Sequence, residues 1–155
     1  MNIFDAIIHN RILISGVLGW GSAQVLKLFI YLIVNRKLSL ERLVGDGGMP
    51  SAHSATVTAV AVSTGLECGF DSAIFAVAAI LAIIVMHDAM GVRLEAGKQA
   101  QAINEIFKVF EKLGDTTLSA ETKLKEFVGH TPIQVFAGFL LGLGIALAFF
   151  LSKVN

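Results

Sequence analysis

Four apolar runs, each ending beside a short polar motif, constrain this chain more than any other feature. They cover residues 12–34, 49–66, 73–86 and 132–151, and they approach or reach the ~20 residues an α-helix needs to cross a bilayer. Lipid offers no hydrogen-bond partners, so a single segment can bury its backbone there only as a helix. The balance of residues agrees: 55% are hydrophobic, 15% are charged and the mean hydropathy is +0.74. A soluble domain of 155 residues needs more charge than that on its surface. The sequence therefore predicts an all-α integral membrane bundle of about four transmembrane helices, forming one domain over residues 1–155.

The runs differ in character. Residues 49–66 are rich in Ala, Val, Ser and Thr, small residues that allow close approach, so this helix is expected inside the bundle. The third run extends to His87 and Asp88, and Pro132 suits the first turn of the fourth. Residues 1–10 predict a short interfacial helix with Ile3, Phe4, Ile7 and Ile8 on one side. A polar insertion at 94–128 separates the last two runs. In it Ile103, Ile106, Phe107, Phe110 and Leu113 recur at amphipathic spacing, and 116–127 suggests a second short helix capped by Ser119. The pair predicts a helical hairpin on the membrane surface or over the bundle mouth.

Net charge is zero with pI ≈ 6.9, which gives no footprint for nucleic acid. Cys68 is the only cysteine, so an internal disulfide is excluded and it reads as a small apolar filler. The first ten residues include Asp5 and His9 and lack the basic start of a cleavable leader. The apolar runs are thus expected to remain in the mature protein. Arg36, Lys37 and Arg42 lie between runs one and two. Arg93, Lys98, Lys108, Lys112, Lys123 and Lys125 lie between runs three and four. Arg11, Lys153, Glu67 and Asp71 fall on the opposite side. The positive-inside rule then predicts a protein of the cytoplasmic membrane with its motifs facing the cytoplasm and both termini outside.

The motifs share that face. Gly47-Gly48-Met49-Pro50-Ser51-Ala52-His53-Ser54 turns tightly into a helix, whose N-terminal N–H groups and dipole favour a phosphate. Ser51 adds a hydrogen-bond donor, and His53 one turn in can deliver a proton; the plain alternative is a capped helix start with an incidental histidine. Gly129-His130-Thr131-Pro132 repeats the arrangement before the fourth run, where His130 is either a nucleophile or a structural interfacial histidine. Asp88 and Arg93 close the third run. Arg93 offers bidentate hydrogen bonds to phosphate, and Asp88 either pairs with it or orients a histidine. His87 points about 100° away from Asp88 and is the weakest of these histidines. Lys27 lies inside the first run, which reads as a functional site or as a lysine snorkelling to the interface. Arg36 follows nine positions later and reaches the site only if the loop folds back. Two histidines and several cations converging at one mouth suggest an anionic substrate.

These residues resemble a known family. Pro-Ser-Ala-His-Ser at 50–54 resembles the Pro-Ser-Gly-His motif of type-2 phosphatidic acid phosphatases and vanadium haloperoxidases. His130 with Pro132, Gln134, Val135, Ala137 and Gly138 resembles their third motif, in which Asp stands where Gln134 stands here. Together with Asp-Ala-Met-Gly-Val-Arg at 88–93 and Gly-Lys-Gln-Ala at 97–100, the whole chain is similar to a small divergent branch of that superfamily. The resemblance implies a metal-free phosphatase without cofactors. In it His130 attacks phosphorus to form a phosphohistidine and His53 protonates the leaving alcohol. Lys27, Ser51, Ala52, Arg36 and Arg93 hold the phosphate oxygens, while Gln134 or Asp88 orients His130.

The expected substrate is a lipid phosphate or pyrophosphate, because a membrane-embedded site suits a ligand that lies in the bilayer. A binding or transport protein that kept the anion site without the chemistry is the second reading. A metal enzyme built on His53, Asp88 and His130 is the third, and no His-x-x-x-His pair supports it. Gly138 and Gly142 form a Gly-x-x-x-Gly pair, which serves either a homodimer or packing within one chain.

Overall fold

Helix starts in this chain are written locally. Asn10 accepts the Leu13 N–H, Ser51 that of Ser54 and Ser72 that of Phe75, each satisfying one of the N–H groups that a helix leaves open. In the computed structural model, which describes residues 2–36, 48–112, 124, 126 and 129–152, six helices follow. They are α1 (Ile3–Ile8), α2 (Arg11–Asn35), α3 (Ala52–Cys68), α4 (Ala73–Met90), α5 (Val92–Lys112) and α6 (Pro132–Leu151). The described residues contain no strand.

α2, α3, α4 and α6 run alternately up and down, and the ties at each end prove the alternation. At one end Arg11 of α2 reaches Glu67 of α3, with Nε 2.9 Å from Oε1. The same guanidinium donates to the Phe149 carbonyl of α6 and lies 4.5 Å from that ring's centroid. At the other end the Ser51 N–H donates to Gln134 O at 2.9 Å and the His130 N–H to Ala89 O at 3.0 Å. The starts of α3 and α6 and the end of α4 are thereby pinned together.

α3 occupies the centre, packed on α2, α4 and α6. Its buried positions are small: Ala52, Ser54, Ala55, Thr58, Ala59, Ala61, Ser63 and Gly65 among them. Small residues bring backbones close, and dispersion with polar contacts then supplies what the hydrophobic effect cannot between helices in lipid. Glycines on the neighbours complete the fit. A Cβ on Gly142 would fall 2.4 Å from Ala55 O, one on Gly138 2.3 Å from Ser51 O, and one on Gly19 2.8 Å from Ala55 O. The Gly138/Gly142 pair is thus taken up by α3 within the chain. Ser15 and Ser63 close a second polar tie between α2 and α3, Oγ to Oγ 2.7 Å.

Three helical stretches are long and apolar enough to cross a membrane: Arg11–Asn35, the stretch beginning at Ala73, and Pro132–Leu151. The second expected span differs. It begins at Ala52 rather than at 49 and has 17 residues, because Ser51 is the cap and accepts the Ser54 N–H. Leu13, Val17, Leu18, Val25, Phe29, Ile80, Ile84 and Leu140 are exposed, as residues facing lipid should be.

The polar insertion starts earlier than expected, since α4 breaks at Gly91 and α5 begins at Val92. α5 carries Arg93, Gly97, Ala100 and Asn104 on one face, of which the last three are buried. Asn104 binds the Leu124 backbone in both directions and donates to Glu126. Ile103, Ile106, Val109 and Phe110 form an exposed apolar face. The expected second helix at 116–127, with Ser119, lies outside the described residues apart from Leu124 and Glu126, as do Lys37, Arg42, Lys123, Lys125 and Lys153.

Candidate functional site

The site forms where the ends of α3, α4 and α6 meet the last third of α2. His53, in the first turn of α3, and His130, just ahead of α6, face each other with ring centroids 5.9 Å apart and planes at 64°. His130 is 1% exposed. Its backbone is fixed by Ala89 O and by Gly129, where a Cβ would fall 2.3 Å from Leu94 Cα.

The side chain of Gln134 decides the state of the His130 ring. Gln134 Oε1 accepts the Thr131 N–H at 3.1 Å, one half of a capping box. That bond fixes which end of the amide is oxygen. The same Oε1 lies 3.3 Å from His130 Nδ1, so Nδ1 must carry the proton.

Lys27 is buried to 4% exposure, and its charge acts on His130. Its stem passes under Gly48, where a Cβ would meet Lys27 Cγ at 3.3 Å and the backbone has φ +86°. Glycine suits both demands: no side chain to displace the lysine, and no steric cost in left-handed backbone. A cavity of about 150 Å³ opens beside Lys27, lined also by Tyr31, Asn35 and Met49. Ser51 and Ala52 are buried at the start of α3, where the Ala52 N–H precedes the first intrahelical acceptor.

Burial pushes the His130 pKa below its ordinary value of 6.5; the positive charges of Lys27 and His53 act the same way, while hydrogen bonds to Gln134 and the Gly48 backbone oppose them. A folded pKa below the unfolded one means that the unfolded chain binds more protons between the two values. The contribution to stability is therefore complete above about pH 6.5 and is lost as pH falls through the folded pKa. Ring-proton NMR should place the His130 midpoint below 6.5. Gln134→Glu should move it upward, since an adjacent carboxylate favours the imidazolium. A wild-type midpoint above 6.5, or none of this shift in the variant, would contradict the arrangement.

Asp88 and Arg93 meet each other rather than a histidine: Arg93 Nε lies 2.6 Å from Asp88 Oδ2, with both side chains about two-fifths exposed. The pair sits at the rim. Arg36 is exposed at the left-handed C-cap of α2 with φ 52°, and no described contact brings it to the histidines. His87 is also exposed. Thus His53, His130, Lys27, Ser51, Ala52 and Gln134 gather, Asp88 and Arg93 lie beside them, and Arg36 stands apart.

Gln24 was not singled out by sequence reasoning. It is buried one turn before Lys27, and its Oε1 has no hydrogen-bond partner among the described residues. Its spacing of three from Lys27 places both on one helix face, a signal that was readable. Among the described residues no group of three His, Cys, Asp or Glu is placed to hold a metal ion.

Comparison with known proteins fits this geometry. A model of the Divergent PAP2 family matches residues 8–145. The uncharacterized membrane protein YuiD of Bacillus subtilis is 45% identical over 154 residues, covering 93% of this chain and 98% of that one. No solved structure gives a significant match.

Proposed function

Because this chain belongs to the Divergent PAP2 family, we propose that it is a membrane-embedded phosphatase acting on a lipid phosphate or pyrophosphate through a phosphohistidine. The observation that supports this best is the buried Lys27 held beside two facing histidines, one of them with its tautomer set by Gln134. Buried cations and helix N-termini around one point favour an anion.

His130 Nε2 attacks phosphorus, the bond to the lipid oxygen breaks, and His53 gives its proton to the leaving oxygen. Water then attacks the phosphohistidine, His53 takes a proton from it, and inorganic phosphate leaves with His130 restored. Lys27, the Ser51 hydroxyl and the Ala52 N–H hold the phosphoryl oxygens, and Arg93 joins them from the rim once it shares or leaves Asp88. Such preorganised positive charge is the largest source of catalysis in phosphoryl transfer. In this reading α3 is the fourth membrane-crossing helix, shortened because it is sheathed by its neighbours. On the positive-inside rule the site faces the cytoplasm, and Arg36 stands apart from it.

A second reading has its own support. Gln134 places a neutral amide on Nδ1, which holds the tautomer but stabilises an imidazolium less than a carboxylate does, so a binding protein on the same fold is the alternative. The test is phosphate release by purified protein from phosphatidic acid, its pyrophosphate analogue and isoprenoid phosphates, with EDTA present throughout. Release supports the phosphatase; binding of the same lipids without release supports the alternative.

A further inference from the structure

A second cavity, of about 490 Å³, lies between α4 and α6, and the proposed phosphate chemistry does not use it. Ile83, Met86 and Met90 of α4 face Val135, Phe136 and Phe139 of α6 across it. Its walls are apolar, yet both belong to the segments that carry the site. Met90 follows Ala89, whose carbonyl holds the His130 N–H, and Val135 follows Gln134, which holds the His130 ring. Pro132 closes the end nearest His130, and among the described residues His87 is the only ionisable group on the lining.

We propose that this groove is the subsite for the hydrocarbon chain of the phosphate-bearing lipid, an inference that rests on the reading of the site as a lipid-phosphate site. Two cavities lie at this end of the bundle, and they differ in that one has a buried lysine on its wall. The one beside Lys27 is about a third the volume, and among Ile30, Tyr31, Val34 and Met49 its wall carries the lysine and Asn35, groups that can meet a phosphate. The one between α4 and α6 offers only methyl, methylene, thioether and ring surface apart from His87. A lipid phosphate has one end of each kind. The groove opens on the outside of the bundle, where Ile83 and Phe136 are exposed, on a face of α6 next to the one that Gly138 and Gly142 turn against α3. It therefore meets the bilayer directly, and a chain can enter from lipid without crossing the core.

The test uses phosphatidic acid carrying a diazirine midway along one acyl chain, in phosphatidylcholine vesicles holding the full-length protein. Crosslinks are expected in the peptides containing residues 83–90 and 132–139. They should fall about tenfold with excess plain phosphatidic acid, but not with added phosphatidylcholine. Ile83→Trp, an exposed position whose larger ring fills the groove, should lower them by a similar factor, as displacing two methylenes from apolar contact is worth about tenfold. Labelling spread evenly over lipid-facing residues such as Val25 and Phe29, or indifferent to competing phosphatidic acid, overturns the proposal. So does capture of a second protein copy in the groove. If the protein also releases phosphate, Ile83→Trp should raise KM for the long-chain lipid and leave a short-chain soluble analogue unchanged. Competed crosslinks without any release would retain the groove and remove the phosphatase; release with unselective crosslinks would do the reverse.

Discussion

If the proposed phosphatase mechanism holds, replacing His130 by alanine is expected to reduce phosphate release by about 10³-fold or more, because the covalent route disappears with the proposed nucleophile. Lipid-phosphate binding should change far less, since Lys27, Ser51 and the α3 start remain. A labelled phosphoryl group that survives alkali and is lost in acid should be trapped on the wild type and absent from the variant. His130 is buried, so the comparison needs variants of equal unfolding midpoint. His130→Gln, which keeps a polar side chain of similar length, is the second version to make. Retained turnover in both variants would exclude His130 as the nucleophile. Equal loss of binding and turnover would instead make it a ligand-holding residue.

The second large effect concerns the bundle. Gly142→Val is expected to destabilise the protein by about 3 kcal/mol, the upper part of the usual overpacking cost. A Cβ there meets Ala55 O at 2.4 Å, with Thr58 Cβ at 2.9 Å. The first of these is backbone of the central helix, which cannot swing aside as a side chain can. Gly144→Ala is the control: none of the described residues outside its own helix backbone lies within 4 Å of a Cβ there, so a change within ~0.5 kcal/mol is expected. Unfolding midpoints in mild detergent read both. A Gly142→Val protein as stable as the control would mean that α3 and α6 do not approach as described.

How far the sequence reached can be followed residue by residue. Ser51, His53, Lys27, His130 and Gln134 were all identifiable, because polar residues in or beside apolar runs are costly enough to need a reason. Their motifs also carried the family resemblance that the comparisons bear out. The role of Gln134 was only half legible. Its place four positions after His130 put it within reach of the ring, but the orientation of its amide came from the Thr131 N–H. Gly138 and Gly142 offered a dimer contact only weakly, since such pairs also serve packing within one chain, and here they lie against Ser51 and Ala55 at α3. Asp88 had two readings as well, and Arg93 took it.

Helices in lipid are determined by the sequence alone. Each apolar run must satisfy its own backbone, so length and hydropathy suffice to place α2, α4 and α6. The cap at Ser51 and the break before it are equally local. What only the tertiary structure decided is which surfaces meet. Helices in a bilayer gain little by hiding apolar faces from lipid, so hydrophobic pattern does not tell the core from the outside. Close approach of small residues does, and it depends on complementary positions far apart in the chain. That is why the central place of α3, the burial of Lys27 beneath Gly48 and the 5.9 Å meeting of His53 with His130 emerge only when the four helices are assembled.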